Sequence, residues 1–260
     1  MIGPTRAAYL AVRRLPDLGG AYLHPWRRES LSRLAALHGA YKGRRAFIVG
    51  NGPSLRNMDL SLLRHDFTFG LNRVYLMFPA LGFETSCLVS VNDLVIEQCA
   101  GEMQALSIPR FLSWRSRRFI AQGSVGSELP TFMYTTYESP NFAQDARGRL
   151  WEGATVTYVA LQLAFHMGFR QAILIGVDHD FSTQGEANKA IVSDGEDPNH
   201  FSPAYFGKGF RWQLPDLKTS EIAYGMARDA FRDAGREVID ATIGGRLTIF
   251  PKADYNSLFK

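Results

Sequence analysis

The feature that most constrains this chain is the segment RRAFIVGNGPSL at residues 44–55. Four apolar residues in succession behind two arginines predict a short central strand that is buried on both faces. Gly50 and Gly52 then predict a tight turn, because glycine takes backbone angles that are closed to other residues and leaves room for a ligand. Pro53 suits the first turn of a helix, where its missing N–H group costs nothing.

The same turn predicts a phosphate site. We expect its backbone N–H groups to point outward and the start of the helix to add partial positive charge, an arrangement that binds phosphate. The residues of this predicted site are Gly50, Asn51, Gly52, Pro53 and Ser54. The alternative is an ordinary strand-to-helix turn without a ligand, because glycine turns are common at strand ends.

The composition limits the classes of protein that fit. A chain of 260 residues with 46% hydrophobic residues has enough apolar surface for one α/β domain with a lid. The formal net charge of +4 suits an anionic substrate or a membrane surface, and without a basic stripe it argues against nucleic acid. Cys87 and Cys99 favour a reduced cytoplasmic protein with two buried thiols. We expect no membrane span and no signal peptide.

Residues 1–43 are rich in arginine and aromatic residues, and they predict two short amphipathic helices ahead of a main domain at residues 44–260. Leu31, Leu34 and Leu37 share one face of the second helix. Packing of that face against the main domain is the favoured interpretation, since basic amphipathic helices are common in globular proteins. The alternative is peripheral contact with an anionic membrane at its inner face.

Two predicted strands each end at an asparagine. Residues 66–71 are followed by Asn72, and residues 87–91 are followed by Asn92. Because open α/β sheets bind ligands beyond the carboxyl ends of their strands, we expect both side chains to share a crevice with Gly50. An asparagine amide offers donors and an acceptor to a ribose, a base or a phosphate. The alternative is that each asparagine turns the chain or caps the next helix.

The middle of the chain is the least informative part. Residues 109–113 predict a fourth strand. Residues 114–119 hold three arginines, for which a solvated loop is favoured over contact with an anionic substrate. Residues 120–150, with glycine, proline, serine and scattered aromatic residues, predict a loop or a small insertion.

Residues 153–181 contain the second strong pattern, a buried helix followed by a buried strand. Thr155 or Thr157 is predicted to cap the helix, which is apolar nearly all round, and Gly168 is predicted to end it. Farther along the chain, an amphipathic helix is predicted at residues 220–234.

The second buried strand, at residues 172–175, leads into the segment GVDHD. Asp178 is predicted to orient a ribose or a substrate hydroxyl. Alternatively, Asp178 and Asp180 form an Asp-x-Asp pair that holds a divalent cation carrying a diphosphate. His179 is interpreted as a structural histidine, and His166, inside the helix, as part of the core.

Residues 182–215 form a long polar segment that is predicted to be a lid. A loop of this length in a compact domain is functional or disordered, and its five aromatic residues argue against disorder. His200 is the only histidine of this segment, and the intrinsic pKa of an imidazole suits a general base near neutral pH. Tyr205 is predicted to hydrogen-bond a departing phosphate, with Lys208 supplying charge. The alternative for His200 is a surface histidine in a folded loop.

Together these segments resemble one bacterial and archaeal domain family. The likeness is carried by FIVGNGPSL at residues 47–55, the strand that ends at Asn72, GFRQAILIGVDH at residues 168–179 and DPNHF at residues 197–201. The family contains the motility accessory factors, thought to glycosylate flagellin with nonulosonic acids, and the archaeal 6-hydroxymethyl-dihydropterin pyrophosphokinases. More distantly, the pattern is similar to the small bacterial sialyltransferases, which use CMP-sialic acid. The likeness spans roughly residues 41–259.

The sialyltransferase resemblance implies roles for individual residues. The turn at residues 50–54 would hold the nucleotide phosphate and ribose, and Asn72 and Asn92 match asparagines that contact the CMP-sugar. Thr155 falls near a serine of the donor site. His200 falls where the family keeps a lid histidine that acts as a base.

One departure from the family pattern concerns the leaving group. After Gly-Val-Asp the sialyltransferases continue with aromatic residues, one of them a tyrosine on the leaving phosphate, whereas this chain continues with His179 and Asp180. Either Tyr205 takes over that role, or a metal ion on Asp178 and Asp180 does so.

The sequence therefore predicts an α/β fold, a Rossmann-like mostly parallel sheet in a sialyltransferase-like variant of the GT-A architecture, with a lid insertion. The predicted function is inverting glycosyl transfer, without a cofactor, from a nucleotide donor to a hydroxyl of a glycan, lipid or protein, and a CMP-linked acidic sugar is favoured as donor. One alternative is a Mg²⁺-dependent 6-hydroxymethyl-dihydropterin pyrophosphokinase. Another is a non-catalytic nucleotide-binding accessory protein that docks through residues 1–43. We expect a cytoplasmic protein, and an oligomer is compatible with the sequence.

Overall fold

A computed structural model describes residues 19–120, 128–182 and 185–260. Its centre is an eight-stranded sheet. The strands are β1 (Arg45–Val49), β2 (Phe67–Leu71), β3 (Cys87–Ser90), β4 (Arg110–Ser113), β5 (Thr131–Thr136), β6 (Arg149–Trp151), β7 (Gln171–Ile175) and β10 (Glu237–Asp240). Two further strands, β8 (Ala190–Val192) and β9 (Arg211–Gln213), pair antiparallel within the predicted lid.

The strands of the large sheet lie in the order β10-β7-β1-β2-β3-β4-β5-β6, and every neighbouring pair is parallel. The sheet begins with β1 and adds strands on one side as far as β6, after which β7 pairs with the other side of β1. The carboxyl ends of β1 and β7 therefore form a topological switch point, the place where open α/β sheets bind ligands. The predicted Rossmann-like, mostly parallel α/β fold is confirmed.

Helices cover both faces of the sheet. The α-helices are α1 (Pro25–Leu37), α2 (Phe78–Leu81), α3 (Asp93–Ala105), α4 (Val156–Met167) and α5 (Leu217–Asp233). Short 3₁₀ helices lie at Pro53–Asn57, Leu60–His65, Val74–Met77, Trp114–Phe119 and Asn256–Phe259. One apolar core lies between the sheet and α4 and α5, and the other lies between the sheet, α3 and the lid. None of the described helices is both long enough and apolar enough to cross a membrane.

The helix α4 shows how the apolar pattern determines the fold. All of its residues from Thr157 to Met167 are buried, as expected for a helix that is apolar nearly all round. The Thr155 side chain accepts a hydrogen bond from the Thr157 N–H group at 3.3 Å, and Gly168 ends the helix in the left-handed conformation at φ 90°. The predicted cap and stop are therefore confirmed.

The prediction of a loop at residues 120–150 is wrong at residues 131–136 and 149–150, because β5 and β6 complete the sheet there, whereas the other described residues of this range lie outside helices and strands. The three arginines of residues 114–119 depart only in part from the predicted solvated loop, since the Arg118 side chain is 65% exposed. They lie on a 3₁₀ helix, and the largely buried Arg115 side chain pairs with Glu152 at 2.6 Å and with Asp93 at 3.4 Å. The strands β5 and β6 form because they pair with neighbours that are distant in sequence, which local composition does not reveal.

The helix α1 packs against β5. The Trp26 ring stacks on Phe132 with centroids 5.9 Å apart, and the Ser30 hydroxyl accepts a hydrogen bond from the Phe132 N–H group at 2.9 Å. Leu34 is fully buried. For the second of the two helices predicted in residues 1–43, packing against the main domain is confirmed. Of the first, residues 19–23 are helical, and residues 1–18 lie outside the described part of the chain.

The lid is a folded segment in its described part. Four of its aromatic side chains are buried in the core beside α3, namely Phe201, Tyr205, Phe206 and Trp212. The thiols of Cys87 and Cys99 are free and buried, as predicted.

Candidate functional site

A crevice of about 270 Å³ lies beyond the carboxyl ends of the central strands, beneath the lid. Most of the predicted site residues line it: Gly50, Asn51, Gly52, Asn72, Asn92, Thr155, Asp178, Asp180, His200 and Tyr205. Pro53, Ser54 and Lys208 are absent from the lining. A crevice at the switch point of the sheet is the expected ligand site of this fold.

The glycine turn after β1 packs directly against the turn after β7. The Gly50 N–H group donates to the Ile175 carbonyl at 2.8 Å, and the Gly52 N–H group donates to the Gly176 carbonyl at 2.9 Å. The prediction that these groups point outward to hold a phosphate is therefore wrong. The reason is that β7 lies beside β1, so its carbonyl groups meet the turn first.

Ser54 and Asp178 join the same two turns through side chains. The Ser54 N–H group donates to Asp178 Oδ1 at 3.0 Å, and its hydroxyl donates to Oδ2 at 2.7 Å. The Asp178 carboxylate therefore occupies the start of the 3₁₀ helix, where the sequence predicted a bound phosphate. Burial raises the pKa of Asp178, although both hydrogen bonds from Ser54 act to lower it.

The two glycines are required by this close packing. Neither Gly50 nor Gly52 has a positive φ, so the expected unusual backbone angles are not the reason for glycine. A Cβ atom at residue 52 would overlap the Asp178 carboxylate, and one at residue 50 would overlap the Gly176 carbonyl oxygen. Glycine is needed because the second turn approaches so closely.

The arrangement of Asp178 and Asp180 does not fit the predicted metal pair. Both oxygens of Asp178 are engaged by Ser54, whereas Asp180 pairs with Arg246 at 3.1 Å. Within the described ranges, no group of three or more His, Cys, Asp or Glu side chains is placed to hold a metal ion.

The two strand-end asparagines have structural roles and also line the crevice. Asn72 has a φ of 48°, and its Oδ1 accepts a hydrogen bond from the Ser90 hydroxyl at 2.9 Å. Asn92 caps α3 by accepting from the Leu94 N–H group at 2.9 Å, and its Nδ2 donates to Gln213 of the lid at 3.3 Å. The turn and the cap explain both side chains without a ligand, and both remain at the crevice wall.

Asn51 lines the crevice and carries a buried acceptor without a partner in the described part of the chain. The residue is 8% exposed, and its buried Oδ1 has no hydrogen-bond partner among the residues that the structure describes. A buried acceptor without a partner is costly and calls for an explanation. A ligand group that donates a hydrogen bond supplies one.

His200 is held in the crevice by a residue that the sequence interpretation missed. Both carboxylate oxygens of Asp197 lie 2.8 Å from His200 Nδ1, and the Tyr205 ring stacks on the imidazole with centroids 3.9 Å apart. Asp197 is itself fixed by the Phe206 N–H group at 3.1 Å. Nε2 makes no hydrogen bond within the described part of the chain. The Asp-x-x-His spacing was the available signal for Asp197.

The lid is closed over the glycine turn. The Phe201 N–H group donates to the Asn51 carbonyl at 2.8 Å, which joins the residue after His200 directly to the turn. The His200 side chain is only 13% exposed, so it is not the surface histidine of the alternative interpretation.

The other two histidines considered in the sequence have protein partners. His166 lies in the core, where Nε2 contacts the Leu34 carbonyl at 2.8 Å, Nδ1 accepts from the Ala146 N–H group at 3.2 Å, and burial lowers its pKa. His179 Nε2 contacts Glu221 at 2.9 Å. These contacts agree with the interpretation of His166 as a core residue and of His179 as a structural histidine.

The crevice has an unusual charge pattern for a basic chain. Its charged lining residues include Glu152, Asp178, Asp180 and Asp216, and no lysine or arginine belongs to the described lining. Lys208 was predicted to supply positive charge to the crevice. It does not line the crevice in this closed arrangement, so that prediction is wrong. The net charge of +4 for the whole chain therefore does not indicate the charge of the crevice, whose charged lining residues are acidic.

One solved structure with the same fold is the MAf glycosyltransferase from Magnetospirillum magneticum AMB-1. The TM-score is 0.51 at 17% sequence identity, and the match covers 98% of this chain and 43% of that one. This chain therefore spans less than half of the length of that glycosyltransferase. No curated protein matches the chain in sequence.

The sequence itself assigns the family. A family model described as 6-hydroxymethylpterin diphosphokinase MptE-like matches residues 27–184, which include β1 to β7 and the glycine turn. The match extends over more than half of the chain, so this protein belongs to the MptE-like family.

Proposed function

We propose that the protein is a glycosyltransferase that moves a sugar from a CMP-linked donor to a hydroxyl group of a glycan, lipid or protein. The fold shared with the MAf glycosyltransferase supports this proposal, as does a crevice at the topological switch point. The observation that carries it is the Asp197–His200 pair, because a carboxylate orients an imidazole inside the crevice and leaves Nε2 for the substrate.

In the proposed reaction, His200 Nε2 takes the proton of the acceptor hydroxyl, while Asp197 holds Nδ1 and stabilises the charged imidazole. The acceptor oxygen forms a bond to the anomeric carbon of the donor as the bond from that carbon to the phosphate oxygen breaks. The phosphate leaves with the electron pair. Attack from the face opposite the phosphate inverts the configuration of the sugar.

Side chains take the part that the sequence interpretation gave to backbone N–H groups. Asn51, Thr155 and Tyr205 line the crevice, and their amide and hydroxyl groups are proposed to contact a ribose or a leaving phosphate. Hydroxyl and amide groups stabilise developing negative charge less strongly than arginine does, but they cost no reorganisation when they are already in place.

The charge of the crevice favours a donor with a single phosphate. A nucleoside diphosphate brings additional negative charge, which proteins normally neutralise with lysine, arginine or a metal ion. Since the described lining contains neither lysine nor arginine, a CMP-sugar fits better than a UDP- or GDP-sugar. The donor is proposed to bind without a metal ion.

The second candidate is diphosphate transfer from ATP to a pterin alcohol, which the description of the family model favours. This reaction needs Mg²⁺ near the phosphates. Asp178 and Asp180 would have to release Ser54 and Arg246 to bind it. The existing contacts therefore favour the first candidate.

A thermal-shift panel with CMP, CDP, UDP, GDP and ATP, each with and without Mg²⁺, tests the two candidates. A ligand that binds only the folded state raises the melting temperature. The glycosyltransferase proposal predicts stabilisation by CMP without Mg²⁺, whereas the diphosphokinase predicts stabilisation by ATP only with Mg²⁺. An absence of any shift would contradict both.

A further inference from the structure

Two arginines outside the lid, Arg56 and Arg73, donate hydrogen bonds to backbone carbonyl groups of the lid at His200 and Tyr205. Arg56 lies on the 3₁₀ helix that follows the glycine turn, and Arg73 follows Asn72 at the end of β2. Neither was singled out in the sequence, and neither lines the crevice. Their contacts explain why the lid histidine stands where it does.

Arg56 holds the histidine end of this segment. Its Nε donates to the Phe201 carbonyl at 2.7 Å, and its Nη2 donates to the His200 carbonyl at 2.9 Å. The Phe201 N–H group meanwhile donates to Asn51 at 2.8 Å. Three hydrogen bonds therefore fix the backbone at residues 200 and 201 relative to the glycine turn, and hydrogen bonds with a charged donor are the stronger kind.

Arg73 holds the tyrosine end. Its Nη1 donates to the Tyr205 carbonyl, and its guanidinium lies 5.4 Å from the centroid of the Phe210 ring. The side chain is 9% exposed and pairs with Glu102 of α3 at 3.1 Å, and Glu102 in turn accepts from the Tyr75 hydroxyl at 2.5 Å. A buried arginine held on several sides is a rigid anchor.

We propose that Arg56 and Arg73 are positioning residues for the proposed base, His200. Each binds the carbonyl group of one member of the stacked His200–Tyr205 pair, so together they set the imidazole against the glycine turn. This inference rests on the proposed function, in which His200 accepts the proton. Because a small misplacement of a catalytic group lowers the rate steeply, loss of either arginine lowers kcat while donor binding is retained.

Hydrogen exchange measures the position of the lid without any substrate. Arg56→Ala removes two hydrogen bonds at the surface, and Arg73→Lys keeps the buried charge but cannot reproduce the arginine contacts. In both variants, amide exchange in residues 197–206 is expected to be about tenfold faster, as the loss of one or two hydrogen bonds implies. Exchange in α4 serves as the internal standard and is expected to be unchanged.

Arg64→Ala is the matched control, because Arg64 lies on the neighbouring 3₁₀ helix with its guanidinium 5.6 Å from the centroid of the Phe83 ring. It should leave the exchange of residues 197–206 as in the unmodified protein. Unchanged exchange at the lid in both test variants would overturn the inference, and so would an equal acceleration in α4, which would show general destabilisation.

The kinetic readout separates this inference from the proposed function. In a transfer assay, kcat of Arg56→Ala is expected to fall about tenfold, with KM for the donor within about twofold, because the arginine does not line the crevice. A rise in KM with kcat unchanged would contradict the positioning role. If the unmodified protein transfers no sugar, the proposed function fails, and the exchange rates alone decide whether the two arginines hold the lid.

Discussion

His166 and His200 are both largely buried, yet the protein holds them in different ways. Both ring nitrogens of His166 are bound by backbone groups, those of Leu34 and Ala146. His200 has one nitrogen fixed by the carboxylate of Asp197 and its ring face covered by Tyr205. The first imidazole has no nitrogen left for a ligand, whereas the second has one.

The difference shows what separates a structural histidine from a candidate base in this molecule. His166 lies on α4, inside the core, and its partners are permanent features of the fold. His200 lies on a lid that closes over a crevice, and a carboxylate partner fixes one ring nitrogen while the other stays without a hydrogen bond in the described part of the chain. The following variants test this contrast, from the largest expected effect on activity to the smallest.

Replacement of His200 should have the largest effect. His200→Gln keeps a polar side chain but removes the base, so kcat is expected to fall about 10²- to 10⁴-fold. A transfer assay with the donor identified by the nucleotide panel measures it, and calorimetric titration of CMP should show nearly unchanged affinity. Full activity in this variant would mean that another group takes the proton.

Asp197→Asn should have a smaller effect, because it leaves the imidazole in place. The neutral amide no longer stabilises the charged ring and permits the wrong tautomer, so kcat is expected to fall about 10- to 100-fold. The transfer assay used for His200→Gln measures kcat of this variant. An unchanged kcat would show that the Asp197 carboxylate only holds the lid segment and takes no part in the reaction.

Tyr205→Phe tests the hydroxyl and preserves the stacking partner. If the hydroxyl donates to the departing phosphate, kcat should fall about tenfold, which corresponds to one lost hydrogen bond to a charged group. The loss should be greater with donors that have poorer leaving groups. Equal rates for Tyr205→Phe and the unmodified protein would leave Tyr205 only its stacking role beside His200.

His166 should affect stability rather than activity. Burial lowers its pKa below the ordinary 6.5, with Asp145, His38 and Arg147 as the charged or titratable neighbours. The folded state therefore binds the proton less well than the unfolded state, so its contribution to stability is complete above pH 6.5 and is lost as the pH falls toward the lowered pKa.

Urea unfolding between pH 5.5 and 7.5 measures this effect. His166→Gln is expected to show a flatter pH dependence and to be about 1–3 kcal/mol less stable at pH 7.5, because buried backbone groups lose partners. Its kcat should stay within about twofold of the unmodified protein. A large loss of activity without a loss of stability would break the distinction between the two histidines.

The predictable parts of the fold were those that depend on local pattern. The apolar runs of β1, β7 and α4 specified buried elements, and Thr155 and Gly168 marked the ends of α4. The strand β5 was missed, because its identity depends on β4, β6 and the Trp26 side chain, which are distant in sequence.

The candidate site was predictable in its membership but not in its contacts. The sequence placed the glycine turn and the lid histidine in one crevice, because strand ends and long lids converge at the same edge of the sheet. It did not reveal that Asp178 occupies the helix start, since that contact depends on β7 lying beside β1. The roles of Arg56 and Arg73 were missed because these arginines bind backbone carbonyl groups of the lid. Every residue has a carbonyl group, so the sequence pattern does not indicate which ones they bind.

The most direct test of the account is nuclear magnetic resonance of the histidine side chains during titration with CMP in the absence of Mg²⁺. The chain has six histidines, and the spectrum of His200→Gln identifies the signal of His200. The account predicts that the ring resonances of His200 shift with added CMP while those of His166 do not. A His200 signal that stays in place at saturating CMP would contradict the proposal that the lid histidine stands over the nucleotide.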